Sequence, residues 1–114
     1  MLGLTLATLP PDITVAKLSG HLAAGGALRE IETRLESLIA EGAARKLILD
    51  LTQVESTDSA GVGMLVQTHI AASDAGLAPR VAGANGRVLS VFRMTRLDKV
   101  LALFPTPGDA AGGW

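Results

Sequence analysis

Leu47-Ile-Leu-Asp-Leu-Thr-Gln-Val-Glu-Ser-Thr-Asp-Ser-Ala-Gly-Val-Gly-Met-Leu65 is the stretch whose reading decides the fold. Leu47, Ile48, Leu49 and Leu51 follow one another almost without interruption, the pattern of a central strand covered on both faces. After a short polar turn the apolar residues shift to helical spacing. A helix is therefore expected from about Ser59 to Asp74, with Val62, Leu65, Val66 and Ile70 on its packed side and Gly76 ending it.

The corner between these two elements carries the chemistry. Asp58 stands where an N-cap belongs, and its carboxylate suits the free N–H groups of residues such as Ala60 or Gly61 and the positive end of the helix dipole. Ser59 then falls in the first turn, near the surface and at the carboxyl end of a central strand. That end is where ligands and partners usually meet an open α/β sheet. Capping alone is the common use of such an acid–hydroxyl pair. Gly61 and Gly63 add a second question, because glycine costs about 1 kcal/mol per helical position against alanine. Either the helix lies very close to the sheet or another molecule approaches its bare backbone, and these residues leave both open.

Working outward, Leu2, Leu4 and Leu6 alternate with smaller residues. Ile13, Val15 and Leu18 follow the break at Pro10-Pro11-Asp12, which predicts a hairpin whose second strand is closed by Gly20. Ala23 to Ala27 is a small-residue connection into a helix on which Leu28, Ile31, Leu35, Leu38 and Ile39 form one stripe. Gly42 supplies its stop. Beyond Gly76, a strand is expected near Arg80 to Ala84, a third helix from about Gly86 to Met94, and a short strand or turn within Leu101 to Phe104. The tail, 105–114, is rich in Pro, Gly and Ala and is expected to fray, with Trp114 as an exposed end. The expected architecture is α/β: one domain over 1–114, a mixed sheet of four to five strands and about four helices.

Composition narrows the function. A chain of 114 residues, 48% hydrophobic, can build one core without disulfides or metal. It has no cysteine, so thiol chemistry and cysteine–zinc sites are excluded and a reducing compartment, the cytoplasm, fits. Net charge is −1 with both signs interspersed, which gives no electrostatic footprint for direct nucleic-acid binding. Ala60 to Ala72 is interrupted by Gln67 and His69 and is shorter than the roughly 20 residues of a membrane span. Two histidines at unrelated positions do not make a metal site, and no glycine-rich phosphate loop ends in Gly-Lys-Ser/Thr, so no cofactor is expected.

Leu49-Asp-Leu together with Thr57-Asp-Ser-Ala-Gly-Val-Gly resembles the core signature of the STAS domain, the family of anti-sigma factor antagonists. Leu18-Ser-Gly-His-Leu resembles the family's second strand and exit turn. Val88-Leu-Ser-Val-Phe-Arg-Met-Thr-Arg-Leu-Asp-Lys-Val resembles its third helix and following turn, and Phe104-Pro also fits. The sequence departs from the family pattern at Thr57, where an apolar residue is usual, at Ala60, where a second serine is common, and at Ala23-Ala-Gly-Gly, where the entry to the first helix is more polar.

The resemblance implies that Ser59 is a phosphorylation site and that Asp58, Ser59, Ala60, Gly61, Val62, Gly63 and Met64 bind a partner. The implied partner is an anti-sigma factor serine kinase of histidine-kinase-like ATPase fold. Unmodified antagonist binds it and frees the sigma factor, phosphorylation of Ser59 ends the binding, and a serine phosphatase restores it. The alternative within the same family is a binding subunit without a switch, in a lipid-transport ABC complex or a stressosome scaffold.

Enzymatic readings rank below these. A serine hydrolase elbow needs glycine where Thr57 stands. His69 lies ten residues from Ser59 on the same helix, about 15 Å along its axis, too far to be its base. His21 is on another segment, and nothing in its sequence neighbourhood marks an orienting acid. The expected protein is a binding module rather than an enzyme.

Overall fold

The computed structural model describes residues 2–42 and 45–112. The elements run β1 (Gly3–Leu9), β2 (Ile13–Leu22), α1 (Gly26–Glu41), β3 (Lys46–Thr57), α2 (Ser59–Asp74), β4 (Arg80–Ala82), α3 (Gly86–Met94), a 3₁₀ turn (Leu97–Lys99), β5 (Leu103–Phe104) and α4 (Pro107–Ala111). The sheet has the order β1-β2-β3-β4-β5, antiparallel between β1 and β2 and parallel elsewhere. This is the expected α/β architecture with a mixed sheet, and the predicted hairpin is its antiparallel edge.

The near-continuous apolar run of β3 is explained by cover on both sides. Leu47, Leu49 and Leu51 join Leu18, Leu22, Leu35, Leu65, Val88 and Phe92 in the larger core beneath α1, α2 and α3. Ile48 points the other way, into a smaller cluster with Ile13, Val15, Ala82 and Ala110. Alternation along a strand sends successive side chains to opposite faces, so both faces need a lid.

α4 is that second lid, which corrects the expectation of a frayed tail over the described part of 105–114, residues 105–112. Thr106 caps it by accepting from the Asp109 N–H at 3.1 Å, and Pro107 sits in its first turn, where a missing N–H costs nothing. Ala110 is fully buried against the sheet. The Arg80 guanidinium donates to the carbonyls of Ala110 and Gly112 at 2.8 and 2.7 Å and lies over the Phe104 ring. Trp114, expected as an exposed end, lies outside the described residues.

Three further expectations are corrected. Gly20 does not close β2; the strand passes through it with a bulge and continues to Leu22. The polar residues after Leu51 do not turn; β3 runs on to Thr57, with Val54 buried between exposed neighbours. Because β1 pairs with β2 only as far as Ser19 and β4 with β3 only at Ile48–Asp50, the ends of β2 and β3, Gly20–Leu22 with Val54–Thr57, form a two-stranded arm that projects past the rest of the sheet.

The third correction concerns α2. Its buried residues are Gly61, Met64, Leu65, Thr68 and Ala72, whereas Val62 and Val66 are half-buried and Ile70 is 47% exposed. The face is set by Gly61, whose missing side chain lets the helix rest on β2. A Cβ there would collide with the Leu22 carbonyl oxygen and with Thr57 Oγ1. No helix among the described residues is long and apolar enough to cross a membrane.

Candidate functional site

The arm of β2 and β3 delivers the start of α2 to one corner of the molecule. Thr57 ends the strand with its hydroxyl turned inward, donating to the Leu22 carbonyl at 3.1 Å. The Asp58 N–H donates to the same Leu22 oxygen at 3.1 Å, which locks the corner to β2. Asp58 then takes an extended backbone conformation as N-cap, and its Oδ1 accepts from the Gly61 N–H at 2.9 Å. Of the two capping partners anticipated from sequence, Gly61 is the one that makes a direct bond.

The second carboxylate oxygen has a partner that the sequence does not indicate. Asp58 Oδ2 accepts from the Ala24 N–H at 3.0 Å, tying the connection before α1 to the start of α2. These bonds, from Ala24 first and Gly61 second, hold the Asp58 carboxyl below its ordinary value of 3.8, against a smaller opposing effect of desolvation. A negative charge therefore stands fixed at the helix N-terminus.

Ser59 follows as the first residue of α2 and is exposed. Its hydroxyl engages none of the described residues, unlike that of Thr57. A groove of about 210 Å³ opens beside it, lined by Ala24, Gly25, Leu28, Arg29, Glu32 and Ala60. Gly25 shapes the rim of this groove as N-cap of α1, with φ 151 and ψ 179, a conformation that only glycine adopts without strain.

The seven anticipated partner residues divide. Asp58, Ser59 and Gly63 are exposed, and Ala60 and Val62 are half-buried on the outer side. Gly61 is buried against Leu22, and Met64 is 2% exposed in the core, so these two are withdrawn from the surface a partner can touch. The question posed by the glycines receives two answers. Gly61 is required by close packing on the sheet, while a Cβ on Gly63 would meet nothing within 4 Å.

Val62, Gly63, Val66 and Ile70 continue outward from Ser59 at helical spacing, a solvent-side stripe on α2 opposite its core face. His69 is half-buried on the same helix, and burial lowers its pKa from the ordinary 6.5. One sequence-based judgement on His21 is overturned: an acid does stand beside it. Glu55 Oε2 lies 3.5 Å from His21 Nε2, and Ser56 Oγ contacts Nδ1. The register of the β2–β3 arm brings these residues together, and no local pattern announces it.

A model of the STAS domain matches residues 6–110. Among solved structures, an anti-sigma factor antagonist from Mycobacterium paratuberculosis is 22% identical with a TM-score of 0.83, the match covering 96% of this chain and 91% of that one. RsbS of Moorella thermoacetica is 18% identical with a TM-score of 0.79, over 93% of this chain and 89% of that one. The Bacillus cell-fate determinant SpoIIAA, in its phosphorylated form, is 19% identical with a TM-score of 0.75, over 95% and 96% of the two chains. With a family match that spans nearly its whole length and a sheet and helix order that agree with it, the chain belongs to the STAS domain family.

Proposed function

We propose that the protein is an anti-sigma factor antagonist switched by phosphate on Ser59. In the cytoplasm its unmodified form binds an anti-sigma factor serine kinase of histidine-kinase-like ATPase fold and releases the sigma factor. Phosphorylation of Ser59 ends the binding, and a serine phosphatase restores it. The chain acts as a binding module rather than a catalyst.

The observation that carries this reading is the contrast between two adjacent residues: Ser59 is exposed with an uncommitted hydroxyl, and Asp58 already has both carboxylate oxygens engaged at the same helix end. A phosphate brings roughly −1.5 to −2 charge. At an empty helix N-terminus that charge is welcome. Here the Gly61 N–H is taken and a carboxylate stands alongside, so the added charge meets repulsion, and docking a partner over it costs desolvation as well. Affinity falls while the fold persists. The similarity to SpoIIAA in a phosphorylated form supports a switch that works without remaking the fold.

The contact surface begins at Ser59 and follows the solvent side of α2 through Ala60, Val62 and Gly63 to Val66 and Ile70. Gly63 fits such an interface because a bare backbone allows close approach. The test is binding of wild type, Ser59→Ala and Ser59→Asp to purified candidate anti-sigma factor kinases, with mass-spectrometric mapping of label from ATP. Label on Ser59, retained binding by Ser59→Ala and at least tenfold weaker binding by Ser59→Asp are expected. Equally tight binding by both variants ends the switch, and stable copurification with an ABC transporter without any label on Ser59 transfers the chain to the subunit role.

A further inference from the structure

The projecting arm assembles three side chains that belong neither to the core nor to the α2 corner. The parallel register sets His21 opposite Ser56, and Ser56 Oγ lies 2.5 Å from His21 Nδ1. On the far side of the ring, Nε2 faces Glu55 Oε2 at 3.5 Å. A carboxylate facing Nε2 favours the tautomer with its hydrogen there, which leaves the Nδ1 lone pair for the serine proton. Hydroxyl, imidazole and carboxylate stand in the order of an activated nucleophile.

A purely structural role is a weak account of this cluster. The backbone ladder already joins the two strands on either side of it, at Gly20–Val54 and Leu22–Thr57. The His21 and Glu55 side chains are 55% and 69% exposed, so water competes for any stabilisation they give. Ser56 itself is half-buried, and a reagent from solution reaches it past the exposed His21 and Glu55 side chains. Among the described residues, Ser56 is the only hydroxyl bonded to an imidazole. Thr57 Oγ1 is committed to the Leu22 carbonyl, and the Ser59 hydroxyl bonds no imidazole among the described residues.

We propose that Ser56 is a base-activated nucleophile that accepts an acyl group from an activated ester or thioester, a covalent modification site separate from Ser59. Oγ attacks the carbonyl carbon; the Oγ–C bond forms as the bond from carbon to the leaving oxygen or sulfur breaks. His21 Nδ1 takes the hydroxyl proton and returns it to the departing alkoxide or thiolate. The products are a serine ester and an alcohol or thiol, with no change of oxidation state. Electrostatics selects an acyl over a phosphoryl group. The Glu55 carboxylate already faces His21 Nε2, so a phosphate of roughly −1.5 to −2 charge on Ser56 would compete with it for the same imidazole, whereas an acyl group adds no charge. The cluster sits on open surface rather than in a cleft, so the transfer stops at one ester per chain instead of turning over.

The experiment uses the purified full chain with p-nitrophenyl acetate, following nitrophenolate release, intact mass and the acylated position by fragmentation of the peptide that contains both Ser56 and Ser59. One acetyl group on Ser56 is expected, absent in Ser56→Ala. His21→Gln keeps a hydrogen-bonding side chain but no base and is expected to slow labelling by about 100-fold, the scale of general-base assistance. Glu55→Gln slows it less, and Ser37→Ala, remote on α1, does not change it. Far-UV circular dichroism of each variant reports folding, so a rate loss with an unchanged spectrum counts for the proposal. Acetyl groups on lysine, on Ser59 or on His21 with Ser56 unmodified overturn it, as does a folded His21→Gln form that labels Ser56 as fast as wild type.

Discussion

Asp58 Oδ2 accepts a hydrogen bond from the backbone N–H of Ala24, 34 residues earlier, at 3.0 Å, while its Oδ1 holds the Gly61 N–H of its own helix. One carboxylate thus couples the rim of the groove before α1 to the first turn of α2. The acid that stands next to the proposed phosphate site also sets the shape of the surface a partner meets.

The pH dependence of stability follows from that coupling and from His69. Asp58 has a folded pKa below its ordinary 3.8, caused first by the Ala24 N–H and then by Gly61. Its contribution is therefore fully present above about pH 4 and is lost as pH falls through the lowered folded value. His69, whose charged form burial disfavours, has a folded pKa below its ordinary 6.5, so stability declines as pH drops below about 6.5 and levels off beneath the folded value. Urea unfolding across pH 2.5 to 8 is expected to show two declining limbs, about these two windows. Asp58→Asn should flatten the lower limb and His69→Gln the upper one.

Two glycines in one helix should respond to alanine with opposite signs. Gly61→Ala drives a Cβ into the Leu22 carbonyl, which is backbone and cannot swing aside. The helix-propensity gain of about 1 kcal/mol is outweighed, and a net loss of about 1–3 kcal/mol is expected from overpacking. Gly63→Ala meets open space and should gain up to about 1 kcal/mol. Urea midpoints of the two variants measure both effects, and weaker partner binding by the stabilised Gly63→Ala form would mark close approach at that position.

Ile70 is 47% exposed on the outer stripe of α2 and contributes little to the core. Ile70→Asp should leave stability within about 0.5 kcal/mol of wild type. The same change places a charge at the end of the proposed contact surface, and binding to the anti-sigma factor should weaken several-fold by calorimetry.

Ala110 offers a test of the second lid. It is fully buried between α4 and the face of the sheet that carries Ile13, Val15, Ile48 and Ala82. Ala110→Asp forces a carboxylate into that space, and a loss of about 2 kcal/mol or more is expected. A melting temperature equal to wild type would restore the picture of a tail that does not pack.

Much of this was legible in the chain, and the boundary between what was and was not follows the range of each interaction. α1 could be read because it is apolar on one side only: Leu28, Ile31, Leu35 and Ile39 are the residues it buries, and Gly42 ends it in the left-handed conformation. The Asp58 cap could be read because its partner Gly61 is three residues away on the same turn. α2 could be placed but not oriented, since it carries Met64 and Leu65 on one side and Val62, Val66 and Ile70 on the other. Periodicity does not choose between two apolar faces. Contact of Gly61 with Leu22 does, and that contact exists only in the assembled sheet.

The same distinction separates the remaining elements. Local hydropathy and capping chemistry determined the cores of β2 and β3, the helices α1, α2 and α3 and the Asp58–Ser59 corner, because each depends on residues within a turn or two of one another. Tertiary structure decided the extension of β2 and β3 into an arm, the Asp58–Ala24 bond, the His21–Ser56–Glu55 cluster and the burial of α4. Each of those joins segments about 30 or more residues apart, and only the register of a folded sheet specifies which of them meet.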